Sequence, residues 1–450
     1  MQALEQITFF SFGNSCKRSK IYCILEQIPY NIAEVIDMER TILHSDINHC
    51  YAQIEEMKYP HLRHIPMAVG GFEEKRHGII LAKNDLAKTY QIKTGESLRE
   101  AYAKCPQLTI IHPHYEEYLY YTEQIKDIYR QFSDRVESFG LDEAWIDVSE
   151  STRLYGDGVS IARLIQKKVL QQFGITISIG VSFNKIFAKL GSDMEKHMGL
   201  VNITRENYRQ IVWPLPVGEL LYIGRSTASK LNACGVHTIG DLATLPATFM
   251  KEHFGKVGEI LHTFANGWDE TPVSKSTDQT PIKSIGNAIT AVKDIVTFED
   301  AKLIYYVLTE SVASRLRESG LKGNVIHLSL RNTDLISFTR QKTITQPTNL
   351  CEEIMPVVLD LLKKHYDFQI PLRTIGISIS GLRKDDGYMQ MNLFTSEKQR
   401  EKQLALEETM DAIRNKFGFE KIQRCSMKLD QKLTDFDPKH DHIIHPVSFF

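Results

Sequence analysis

Hydrophobic and polar positions keep two rhythms over residues 38–205. Apolar, β-branched runs at 41–47, 144–149 and 176–182 predict buried strands, and apolar residues at helical spacing predict helices near 49–57, from Tyr115 to Phe132, and near 158–172. Tyr118, Tyr121, Ile125, Ile128 and Tyr129 form one stripe of the second helix, which reads as core packing. The β-α-β-β-α-β order is the minimum for a ferredoxin-like split βαβ unit. Residues 206–275 are mostly helical, with loops around Gly224, Gly235 and the 255–258 stretch. A Ser, Thr, Pro and Asp-rich segment at 272–283 predicts an exposed linker. Strands return from 284 to about 385 with two helices between them, and a charged helix of about 396–417 precedes an irregular tail. The pattern predicts an α+β multidomain chain.

At 450 residues the chain can build several cores, and its 42% hydrophobic and 24% charged content is that of a globular protein. A net charge of −2 gives no global sign of nucleic-acid binding, so such a surface would be local. Residues 283–384 carry 14 Lys or Arg against 10 Asp or Glu, and no acid lies between 335 and 350. Seven scattered cysteines without a CxxC pair argue for a reducing cytoplasm and against zinc or a disulfide framework. No apolar run reaches membrane-spanning length. Residues 1–37 lack the order of a signal peptide and read as an extension ahead of a second possible start, Met38.

The chemistry lies in two apolar strands. Asp46 sits in Thr41-Ile42-Leu43-His44-Ser45-Asp46-Ile47, and Asp142 and Glu143 open the run after Phe139-Gly140-Leu141. Burying one carboxylate there is expensive, and three together repel one another. A divalent cation removes both penalties, and hard oxygen ligands without His or Cys suit Mg²⁺. Two such ions about 4 Å apart stabilise the attacking and leaving oxygens of phosphoryl transfer.

Ser45-Asp46-Ile47-Asn48-His49-Cys50-Tyr51-Ala52 and Leu141-Asp142-Glu143-Ala144, followed by Gly180-Val181-Ser182-Phe183-Asn184-Lys185-Ile186-Phe187-Ala188-Lys189 and Lys283-Ser284-Ile285-Gly286-Asn287, resemble the Y-family (translesion) DNA polymerases, bacterial polymerase IV/V branch. The resemblance covers about residues 38–394 in the family's order. It implies a ferredoxin-like palm (38–49 and 115–205), small fingers (50–114), a helical helix-hairpin-helix thumb (206–275), a linker (276–283) and an α/β little-finger domain (284–388). A clamp-binding peptide (389–395) and a C-terminal helix and tail (396–450) would follow. Asn48 and His49 stand where Asp and an aromatic residue are frequent, which leans toward a polymerase V-like subgroup.

The resemblance also implies roles. Asp46, Asp142 and Glu143, with the carbonyl of Ile47, would hold two Mg²⁺ ions, for which Mn²⁺ can substitute; the plainer alternative has Asp142 and Glu143 capping a surface hairpin. Tyr51 would be the steric gate against a 2′-hydroxyl, or plain core packing of its helix. Lys196 would meet the triphosphate, or be a solvated lysine. Lys88 stands in a frequent Arg position of the fingers and can still meet phosphate, without the fork of Arg; Asp85, in the Tyr position, would repel it. Gly224 and Arg225 would offer a helix N-terminus to a DNA phosphate, or form an ordinary helix turn. Arg331, Arg340 and Lys342 would grip the duplex backbone, against the alternative of a charged edge strand. Gln390, Leu393 and Phe394 resemble the peptide that docks on the sliding clamp (β subunit).

The implied function is template-directed DNA polymerisation past lesions, of low fidelity and with no domain for proofreading. Its partners would be primer-template DNA, dNTP and the clamp, with no membrane, for a cytoplasmic monomer. Two alternatives stand beside it: another palm-type nucleotidyl transferase or cyclase, and a non-catalytic DNA- and clamp-binding accessory with a decayed site.

Overall fold

The computed structural model describes residues 40–72, 78–278, 281–387 and 397–439. The N-terminal extension and the clamp peptide with Gln390, Leu393 and Phe394 lie outside the described residues.

In chain order come β1 (Ile42–Ile47), α1 (Cys50–Lys58), β2 (Met67–Gly70), β3 (Ile80–Lys83), α2 (Asp85–Thr89), α3 (Leu98–Lys104), β4 (Thr109–Ile111) and α4 (Tyr115–Arg130). There follow β5 (Val136–Ser138), β6 (Glu143–Asp147), α5 (Gly158–Phe173), β7 (Ile177–Ser182), α6 (Lys185–Met194) and β8 (Leu200–Ile203). Five strands form one sheet in the order β5-β6-β1-β7-β8, antiparallel except where β8 joins β7. The crossover from β1 to β5 skips over β6, and that from β6 to β7 skips over β1. Two βαβ units, each split by a strand of the other, are the ferredoxin-like arrangement.

Strand side chains alternate between faces. Leu43, Ile47, Ala144, Ile146, Ile177 and Ile179 pack under Tyr118, Ile125 and Tyr129 of α4 and Ile161 and Ile165 of α5. Ile42, His44 and Asp46 therefore face the other way, toward α6.

A second sheet, β3-β2-β4, has a small core of Ala68, Ile80, Leu98, Ala101 and Leu108. Helix α1 serves both sheets: Cys50 and Ile54 enter the first core, while Ala52 packs with Leu62, Met67 and Val69. Next come α7 (Arg225–Ala233), α8 (Ile239–Thr244) and α9 (Ala247–Ala265), the last broken at Gly255, whose φ of 64° only glycine adopts freely. Their core is shared with Phe183, Ile186, Phe187 and Leu190, so α6 is pressed between the first sheet and the helical unit.

The last unit holds β9 (Ser284–Ile295), α10 (Phe298–Glu318), β10 (Leu321–Asn332), β11 (Ser337–Thr348), α11 (Cys351–His365), β12 (Leu372–Ser380) and β13 (Arg383–Lys384). Its antiparallel sheet runs β11-β10-β12-β9, with α10 and α11 on the Ile-rich face. The expected charged helix is α12 (Glu397–Phe417). The irregular tail expected after it is instead docked, as a turn at Cys425–Leu429 and α13 (Gln431–Thr434) that bury Met427 and Leu433. Arg317 of α10 reaches Glu407 (2.6 Å) and Asp411 (2.7 Å) of α12, and Arg414 reaches Glu310 (2.7 Å). The sequence showed the charges of this segment but not their partners. Among the described residues no helix is long and apolar enough to cross a membrane.

Candidate active site

Asp46, next to last in β1, lies directly across from Glu143, the first residue of β6. Asp142 precedes it, and its carbonyl accepts a hydrogen bond from the Ile47 N–H at 3.2 Å. Gly140, at φ 83°, turns the chain between β5 and β6 and so brings both acids to the end of β1. A hairpin cap would leave them in solvent; here Asp46 is buried and the other two are half-buried.

Burial, then the nearby charges of Asp46 and Glu143, push the Asp142 carboxyl up to about 6. Burial also raises Asp46 and Glu143, against the pull of nearby lysines. Those lysines come from α6 and the loop after it. Lys189 Nζ lies 3.0 Å from Glu143 Oε2, 3.0 Å from Asp193 Oδ2 and 3.6 Å from Asp46 Oδ2. Lys196 Nζ lies 3.1 Å from both Asp46 Oδ2 and Asp193 Oδ1. Burial would lower the Lys189 ammonium, but the three carboxylates outweigh it and hold it up. His44 shares the face; its Nδ1 lies 2.8 Å from Ser192 Oγ, and its Nε2 lies 3.4 Å from Glu143 Oε2 without a hydrogen bond.

Two glycines seat α6 this closely. A Cβ on Gly180 of β7 would stand 2.0 Å from the Ala188 carbonyl and 2.6 Å from the Ser192 nitrogen, and one on Gly191 would press on Gly180. Lys189, Asp193 and His44 had no role at the level of sequence. Lys189 and Asp193 belong to a helix distant in sequence, and their one local signal is the four-residue spacing of 189 and 193 on a single helical face.

Among the described residues no three His, Cys, Asp or Glu side chains converge closely enough to grip one ion; two ammonium groups stand against Asp46 and Glu143 instead. The donor set still fits a divalent cation. It consists of hard carboxylate oxygens, all with raised affinity for protons.

The remaining expected residues are spread around this cluster. The Tyr51 ring is half-buried on α1, stacked on Tyr118 (4.4 Å, 11°). Lys88 is exposed on α2, a helix anchored by the buried Asn84, which donates to Glu56 Oε1 and to the Leu62 and Ile65 carbonyls. Asp85 lies 3.3 Å from His197, next in the chain to Lys196.

Gly224 caps α7 with open space around it, and Arg225 is exposed. Tyr222 stands at φ 72°, a left-handed conformation that glycine adopts more easily. The last sheet divides the three basic residues. Arg331 pairs across from Thr374 and Ser337 on the face away from the helices. Arg340 and Lys342 share the other face with Phe338 and Ile344, and Lys342 is tied to Asp360 of α11 at 3.0 Å. The face away from the helices also presents Ser284, Gly286, Thr290, Thr339, Gln341, Thr343, Ser378 and Ser380, small or hydrogen-bonding groups that admit a close backbone. Alternation along β9 and β12 carried that signal, but basic residues are more conspicuous in a sequence.

Residues 45–193 match the model of the impB/mucB/samB family, 282–393 its C-terminal domain, and 220–269 the thumb domain described for DNA polymerase-iota. The chain is 42% identical to DNA polymerase IV of Acetivibrio thermocellus, over 88% of this chain and 100% of that protein. It is 36% identical to DNA polymerase IV of Pelotomaculum thermopropionicum (86% and 95%) and 33% to DNA polymerase IV 2 of Bacillus subtilis (86% and 94%). A solved Y-family DNA polymerase chimera shares the fold at TM-score 0.66, with 22% identity over 76% of this chain and 98% of the chimera. The relatives' names correct the leaning toward a polymerase V-like subgroup. Asn48 departs from the pattern for a local reason: it is buried, accepting from Ser178 Oγ (2.9 Å) and donating to Thr176 Oγ1 (3.1 Å).

Proposed function

Because the chain belongs to the bacterial Y-family DNA polymerases, we propose that it extends a primer on damaged templates, adding nucleotides from dNTP with low fidelity and without proofreading. One observation carries this reading: Asp46, Asp142 and Glu143 stand together at the end of two paired strands, half-buried or buried, with two lysines against them. Asp46, Asp142, Glu143 and the Ile47 carbonyl would hold two Mg²⁺ ions, or Mn²⁺. Held there, the ions would supply the positive charge needed to align the attacking hydroxyl and to offset the charge of the leaving pyrophosphate.

The chain's own groups do the rest. Lys196 is a point charge for the triphosphate at the edge of the acid cluster, and Lys88 is a second from the fingers. Tyr51 excludes a ribose 2′-hydroxyl by bulk. The fingers, a three-stranded sheet with short helices, give a loose grip on the nascent pair, in keeping with lesion bypass. Gly224 and Arg225 hold DNA phosphate without reading sequence. The open face of the last sheet, with Arg331, lies along the duplex, while Arg340 and Lys342 lie on its other face, Lys342 held by Asp360. Residues 38–49 and 115–205 serve as palm, 50–114 as fingers, 206–275 as thumb and 284–388 as little finger, in a cytoplasmic monomer docking on the sliding clamp through Gln390, Leu393 and Phe394.

Purified protein with primer-template, dNTP and Mg²⁺ tests the reading. Wild type should extend the primer, a chelator should stop it, and Asp46→Asn should be inactive. No extension by wild type refutes it: retained DNA and clamp binding would then favour an accessory, and cyclic nucleotide made without DNA a cyclase.

A further inference from the structure

Below the ring assigned to the sugar gate lies a set of side chains that this assignment leaves unused. Glu55 follows Tyr51 by one turn of α1, so the two share a face. His114 and Tyr118 have the same spacing at the start of α4. The two pairs interlock. The Tyr118 ring lies flat against Tyr51, at 4.4 Å and 11°. The Tyr118 hydroxyl donates to Glu55 Oε1 at 2.6 Å, and His114 Nδ1 lies 2.8 Å from the same oxygen. Tyr115 closes the side, edge-on to both rings at 6.1 Å.

Glu55 has no exposed surface, and its Oε2 is buried without a hydrogen bond among the described residues. A carboxylate in such a place costs more than an apolar side chain of the same size, and what it gains is a fixed geometry. The need for one is plain at this end of α1. The residue before the helix, His49, lies at φ 36° and makes no capping hydrogen bond, so no side-chain cap pins the first turn, which carries Tyr51. A steric gate works only if the ring cannot tilt away.

We propose that Glu55, His114 and Tyr118 are positioning residues that hold the Tyr51 ring against the sugar and so set the discrimination between dNTP and rNTP. Glu55 orients the Tyr118 hydroxyl, His114 holds the same carboxylate oxygen from its other side, and the Tyr118 ring is the floor on which the gate rests. The proposal depends on Tyr51 being the gate, and the test separates the two.

The measurement is kcat/KM for dNTP and for the matching rNTP in the full chain. Tyr51→Ala should abolish most of the discrimination; if it leaves the ratio unchanged, the gate assignment fails and the positioning role falls with it. Given a working gate, Tyr118→Phe, which keeps the ring and removes its anchor, should lower the dNTP/rNTP ratio roughly fivefold, about 1 kcal/mol. Glu55→Gln and His114→Ala should move the ratio in the same direction. In the Tyr51→Ala background Tyr118→Phe should add nothing. A merely structural role would lower both substrates together and leave the ratio where it was. That result, or a full additional effect of Tyr118→Phe without the Tyr51 ring, overturns the proposal. Should Glu55→Gln fail to fold, Tyr118→Phe alone decides.

Discussion

Removing one of the three acids should make this protein more stable and inactive at once. Asp142 is the acid to change, because its carboxyl is raised from 3.8 to about 6 by burial and by Asp46 and Glu143. A group that holds its proton more tightly when folded opposes folding once it must ionise. Below about pH 4 the aspartic acid is protonated in both states and contributes nothing. Between about 4 and 6 the folded chain keeps the proton that the unfolded chain loses, so stability falls as pH rises, and above about 6 the full penalty is present. A raise of that size corresponds to about 3 kcal/mol. Asp142 is partly exposed, so solvent screening brings the figure to about 1–2 kcal/mol. Asp142→Asn keeps the shape and deletes the charge. Thermal unfolding without divalent metal at pH 7 should then place the variant a few degrees above wild type, roughly 2–4 °C per kcal/mol. The gap should close as both are taken to pH 4, and primer extension should be lost. A variant no more stable than wild type at pH 7, or a gap that does not change with pH, would refute the view that burial and its acidic neighbours hold the Asp142 carboxyl up in the folded chain.

Two further outcomes test other parts of the chain. Arg317→Ala leaves the buried Glu407 and its neighbour Asp411 facing no guanidinium, which should cost about 3–5 kcal/mol; differential scanning calorimetry and proteolysis within α12 should both register it, and an unaltered α12 would mean the pair is dispensable. Leu393→Ala with Phe394→Ala should abolish binding to the sliding clamp in a pull-down while leaving primer extension without the clamp intact; undiminished binding would remove that peptide from the proposal.

The acid strands, the order of elements and the helical and sheet segments were legible without coordinates, because they rest on local periodicity and on short strings of fixed spacing. The Tyr115–Phe132 stripe and the β1 and β7 runs emerged where the pattern put them. What stood beyond reach was every contact between segments far apart in sequence. Lys189 is ordinary in its helix until Gly180 and Gly191 let α6 settle on β7 and lay its ammonium between Glu143 and Asp46. Arg340 and Lys342 look like a basic strand for DNA, yet strand register turns them toward the helices and leaves hydroxyls on the open face. Glu55 reads as one more helix acid until α4 brings Tyr118 and His114 to it. Composition and periodicity thus determine which residues can be buried and in what kind of element, since those depend on nearest neighbours along the chain. Which charges meet, and which face of a sheet is left open, is decided by packing, because Coulomb and hydrogen-bond partners are chosen in space and not in sequence.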